Sequence, residues 1–189
     1  MHPVEALLSP LGRLFRDRHA DESLSLSHRP EFATSRRIGF SSPRFADGAE
    51  IPAEYCGRFI GDNRSPALAW SDLPAATADL LLIMEDLDSP GATPRLHAVA
   101  AFAPEPNALD DGDLNAETTR ARFLPGRRGP LAYSGPRPLP GHGPHHYRLH
   151  LYALDRLLDI GRLSDVEQLV AAVEGHVLAS ATLTGTRES

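Results

Sequence analysis

From residue 36 onward, apolar residues come in short runs, each stopped by proline, glycine or aspartate. That punctuation leaves little room for long helices and points to strands joined by tight turns, the pattern of a β-sandwich or related all-β domain. The runs predict strands over 36–42, 67–70, 79–85, 96–103, 147–154 and 180–186. Asp47-Gly48, Asp62-Asn63 and residues 108–115 supply the turn chemistry. One helix stands out. Ser164 and Glu167 have capping-box spacing, and Val166, Leu169, Val170 and Val173 share one face up to Gly175.

Residues 1–35 read differently and are set apart from a domain spanning 36–189. Val4, Leu7, Leu8, Leu11, Leu14 and Phe15 recur at helical spacing, but Pro10 interrupts them, so a short broken helix is expected, followed by a polar linker over 19–35. If that apolar stripe needs cover, a homodimer would provide it.

At 189 residues the chain can bury a full core. All 19 basic residues are arginine, and the net charge of -6 argues against a nucleic-acid footprint or general adsorption to an anionic bilayer. Cys56 is the single cysteine, so no intramolecular disulfide can form. Runs such as Leu80–Met84 are too short to span a membrane, and the start lacks the pattern of a signal peptide. A cytoplasmic location is expected.

Two remote segments carry the chemistry. Asp86 and Asp88 follow the run Leu80–Glu85, two residues apart, so an extended chain would put both carboxylates on one face; Pro90 closes the turn, and His97 lies in the apolar run that follows. In His145–Leu151, Leu149 and Leu151 belong to the core face, so Tyr147 and His145 share it. By the same period His146, Arg148 and His150 should face solvent. Gly135, before Pro136, offers a backbone amide with no side chain in the way. Imidazoles beside a backbone N–H suit a small anion. His142, His145 and His146 are a weak zinc candidate, since the loop lacks cysteine and helical spacing. No metal or cofactor is expected, and no nucleophile motif is evident.

These segments, in order, resemble the phosphatidylethanolamine-binding protein family in its bacterial Raf-kinase-inhibitor-like branch. The resemblance covers about residues 36–186 and is carried by Ser42–Gly48 with Ile51-Pro52, Ser65–Trp70, Leu73–Thr77, Asp86–Pro90 with His97, Gly135–Pro138, His145–Tyr147 and Leu151–Asp155. Leu87 stands where the family has proline, Ala98 where a tryptophan is usual, and Leu139 where a second proline is usual. The resemblance implies a mainly β fold, a Greek-key sandwich of antiparallel sheets with a few peripheral helices. It also implies an anion pocket lined by Asp86, His97, the Gly135 amide, His145 and Tyr147, supported by Asp88, Pro90 and Pro136. Ala98 should widen one wall.

The function expected is a non-enzymatic binding protein for a small phosphorylated or carboxylated ligand, such as a phospholipid head group, with a kinase- or protease-inhibitor-like regulatory role. One alternative is a protein-interaction module using the N-terminal helix and the Arg-rich loop 120–137. Another is a hydrolase using Asp86, His97 and His145 as acid and base.

Overall fold

A computed structural model describes residues 3–189, with side chains from Leu8 onward. A helix, α1 (Pro3–Leu14), precedes ten strands and a second helix. A three-stranded antiparallel sheet is formed by β1 (Gly39–Ser41), β2 (Leu68–Ser71) and β5 (Ala108–Leu109), in the order β1-β2-β5. The larger sheet runs β10-β9-β3-β4-β6, all antiparallel. Its members are β3 (Asp79–Asp86), β4 (Arg95–Phe102), β6 (Arg122–Phe123), β9 (His145–Leu154) and β10 (Val177–Arg187). A hairpin of β7 (Pro125–Gly126) and β8 (Gly129–Pro130) projects from the long loop, and α2 (Val166–Val173) packs on the outer face of the larger sheet.

β3 explains why its run is continuously apolar rather than alternating. Leu80, Leu82 and Met84 enter the core between the sheets, with Trp70, Phe102, Leu149 and Leu151. Leu81 and Ile83 enter a second core under α2, with Val99, Tyr152, Leu169 and Val173. A central strand covered on both faces has no polar side to show. The same cover corrects the expectation for His150. It is only 4% exposed, because the face expected to meet solvent is packed by α2 and the turns before β1.

Three local expectations also change. Residues 19–35 are not a bare linker: three turns of 3-10 helix (Glu22–Leu24, Leu26–His28, Pro30–Phe32) insert Leu26 and Phe32 into the second core. The helix cap is Asp165 rather than Ser164; its side chain accepts from the Gln168 amide at 2.9 Å, shifting the box by one residue. α1 is continuous through Pro10. A proline removes one intrahelical bond, and here the helix is braced from outside, with Gly12 against the backbone of Pro140 and His142. Val4 and Leu7 lie outside the residues whose side chains are described. Of the rest of the stripe, Leu11 and Leu14 stay 43% and 74% exposed.

Candidate functional site

β3 and β9 pair with Asp86 opposite Tyr147, which carries the end of one remote segment onto the start of the other. There Asp86 receives His145: the ring Nδ1–H donates to both carboxylate oxygens, at 2.9 and 3.0 Å. His145 Nε2 meets His142 Nδ1 at 2.9 Å, and His142 Nε2–H donates to the Arg18 carbonyl at 2.9 Å. A carbonyl can only accept, so these three links hold three protons among one carboxyl and two imidazoles. That count fits a carboxylate with one imidazolium and one neutral ring, or a carboxyl with two neutral rings; since a carboxyl is the stronger acid, the ion pair is favoured.

His97 reaches the same acid by a different device. Met84 pairs with Ala98 and Glu85 with Leu96, so His97 is the extra residue of a β-bulge. A bulge breaks alternation and re-aims a side chain. Its Nδ1–H donates to the Ser134 carbonyl, and its Nε2 lies 3.9 Å from Asp86 Oδ2. Burial pushes the His97 pKa below its ordinary value, so the ring is held neutral with a lone pair on Nε2. Nε2 is buried and has no hydrogen-bond partner among the described residues.

Around these groups lies a hollow of about 530 Å³. Asp86, Pro90, His97, Gly135 and His145 line it. The other expected residues do not. Tyr147 packs beneath, with His97 edge-on at 5.2 Å and His145 stacked at 6.3 Å. Its hydroxyl is buried, and burial and the Asp86 charge push its pKa up. Asp88 turns outward, because the strand ends at Asp86, whose Oδ1 accepts the Asp88 amide at 3.0 Å. Its carboxylate then accepts from the His146 amide and ring at 2.7 and 2.8 Å. Pro136 gives its carbonyl to the Gly57 amide. Ala98 is fully buried in the inter-sheet core, so no wall is widened there.

The donors anticipated for a ligand are also committed elsewhere. The Gly135 amide donates to Asn63 Oδ1 at 2.9 Å, and both nitrogens of His145 are engaged. Residue 135 is glycine for a packing reason: a Cβ would run into the Tyr55 carbonyl and the backbone of Cys56 and Gly57. Gly135→Ala should therefore lower stability by about 3 kcal/mol through backbone overpacking, read as a drop in the urea midpoint. A change below about 0.5 kcal/mol would show that the 55–57 segment yields freely.

Sequence reading missed most of the rim. Arg58, Arg95 and Arg137, all exposed residues, line the hollow, and only Arg137 belongs to a segment singled out beforehand, the Arg-rich loop 120–137. None of the three joins an ion pair among the described residues, although Arg137 covers the Phe59 ring at 4.6 Å. Arg58 and Arg95, single arginines in separate segments, carry no spacing signal. The Arg-rich loop 120–137 gives only Arg137 to the rim, while Arg122 is spent on Asp79 and Arg120 lies near Asp113. Among the described residues no group of three or more His, Cys, Asp or Glu is placed to hold a metal ion; His146 points away from His142 and His145, toward Asp88. No described helix is long and apolar enough to cross a membrane.

Comparison with known proteins agrees with this architecture. The family model described as phosphatidylethanolamine-binding protein matches residues 41–188. LppC of Mycobacterium tuberculosis, which bears the name of a lipoprotein, is 35% identical over 151 residues, covering 80% of this chain and 72% of its own. A UPF0098 protein of Methanothermobacter thermautotrophicus is 34% identical over 144 residues, covering 75% of this chain and 92% of its own. The crystal structure of the homologue CT736 from Chlamydia trachomatis superposes with a TM-score of 0.68 at 31% identity, covering 82% of this chain and 99% of that one. With the match spanning both strands that build the Asp86 floor, the chain belongs to the phosphatidylethanolamine-binding protein family.

Proposed function

We propose that the hollow captures a small phosphorylated or carboxylated group, and that the protein acts by binding rather than by breaking bonds. The observation that carries this reading is the pairing of three rim arginines with a buried His97 Nε2, where among the described residues the arginines join no ion pair and Nε2 has no hydrogen-bond partner. Guanidinium groups recognise carboxylates and phosphates through planar forks. Against catalysis, His145 is fully committed to Asp86 and His142. The thiol of Cys56 is buried and pushed up to about 11, chiefly by that burial, which keeps it from being a thiolate nucleophile.

The His97 tautomer sets the pH dependence. Nε2 of the neutral ring is an acceptor, and an anion oxygen is another, so contact between them needs one proton, on the ring or on the ligand. Binding is thus coupled to one proton, and affinity should fall, approaching about tenfold for each pH unit, once both the His97 ring and the ligand have lost it. Isothermal titration with inorganic phosphate and O-phosphoethanolamine from pH 5.5 to 8 measures this. His97→Gln, whose side-chain amide donates without a proton, should flatten the slope. Absence of binding at every pH would sink the reading, and a slope unchanged in His97→Gln would remove His97 from it.

A further inference from the structure

Among the described residues, Leu8 of α1 lines the hollow from outside the sandwich. α1 precedes the region matched by the family model. It lies on the Pro138–Pro140 side of the hollow through two reciprocal close approaches. A Cβ on Gly12 would collide with the Pro140 carbonyl, and a Cβ on Gly141, which has φ +82, would meet the Ser9 carbonyl at 2.7 Å. Beyond the helix the chain is tied to the floor of the site, because the Arg18 carbonyl takes the outer end of the His142–His145–Asp86 chain. His19 adds an edge-on contact to His142 at 5.2 Å and lies 3.4 Å from Asp88.

Of the α1 side chains described, Leu11 and Leu14 remain exposed. An element held by backbone fit at two glycines, with these two leucines left outside the cores, belongs to the part of a fold that opens first. Resting on the anion-pocket reading above, we infer that α1 is a lid that selects ligands by size. A bare phosphate group enters beneath it, whereas a phosphate ester carrying bulky apolar arms requires α1 to lift. The affinity for the bulky ester is then reduced by the fraction of molecules with the lid open.

The test uses the full chain and two probes, inorganic phosphate and dihexanoyl phosphatidic acid below its micelle concentration. Titration calorimetry gives the affinities, and amide hydrogen exchange reports protection of residues 3–18 and of the β3 core. In the wild type, phosphate should bind with the 3–18 amides still protected, and the diacyl probe should bind only with their loss of protection. Gly12→Val, which wedges the helix away from Pro140, should expose those amides and tighten the diacyl probe by about tenfold, with phosphate affinity within twofold.

A diacyl probe that binds the wild type with residues 3–18 fully protected overturns the lid, whatever the variant does. So does a Gly12→Val protein that has lost that protection without a change in the ratio of the two affinities, or one that keeps it. Should the β3 amides also lose protection in the variant, the wild-type exchange comparison decides alone. Failure of phosphate to bind the wild type would instead strike the anion-pocket reading, and the exchange data would still report whether α1 is docked.

Discussion

Asp86→Ala is expected to cost about 3–5 kcal/mol of unfolding free energy, measured as the shift in urea denaturation at pH 7. The carboxylate is 4% exposed and is the anionic end of the chain through His145 and His142 to the Arg18 carbonyl. Removing it strands a buried imidazolium with no counter-charge, and it also frees the Asp88 amide that Asp86 Oδ1 caps. Losing one partner of a buried pair is far worse than never having built it, because the remaining charge stays desolvated. Asp86→Asn should fall between, since it keeps an acceptor for His145 Nδ1–H and for Asp88 but loses the charge. A cost below about 1 kcal/mol for alanine would mean that the two rings share no extra proton and that Asp86 behaves as an exposed acid.

Acidification should destabilise the protein through His150, by about 2.5 kcal/mol between pH 7.5 and 4.5. Burial, then the charges of Arg148 and His28, push this ring down to about 3. The sign follows from that depression. The native ring stays neutral while the unfolded ring takes a proton near its ordinary value, so the contribution is whole above about pH 6.5 and fades as pH falls toward about 3. Glu85 works in the opposite direction. It lies 3.6 Å from His150, and burial pushes its pKa up even though Ser25 and the Leu26 amide donate to it. Protonating it in acid therefore favours the folded state. His150→Gln should keep a bond toward Thr182 and lose most of the acid slope. Thermal melts or urea curves at the two pH values decide, and an unchanged slope in the variant would assign the acid limb to other groups.

How far residues alone carried the structure can be seen at particular places. Four strands of the larger sheet, β3, β4, β9 and β10, were legible because their apolar runs end at proline, glycine and aspartate, whereas the two-residue β6 lies in the stretch read as a loop. The core-facing set His145, Tyr147, Leu149 and Leu151 followed from the two-residue period. Period arguments failed where a neighbour decides the outcome. His97 sits at a bulge, which depends on how β4 meets β3. His150 obeys the period but meets a second core where solvent was expected. Asp88 leaves the face of Asp86 because the strand stops between them.

The same division runs through the candidate site. Local composition and spacing determined a mainly β chain, and they singled out Asp86, His97 and His145 as the polar groups of interest, since acids and imidazoles beside apolar runs are conspicuous in any one-dimensional reading. Only the tertiary structure decided which hydrogen-bonding atoms remain available. The Gly135 amide went to Asn63, the nitrogens of His145 went to Asp86 and His142, and three scattered arginines came together on the rim. The physical reason is that a polar group's capacity to bind a ligand is whatever its folded neighbours leave unsatisfied, and most of those neighbours, such as Asn63 for Gly135 and Asp86 for His145, lie far away along the chain.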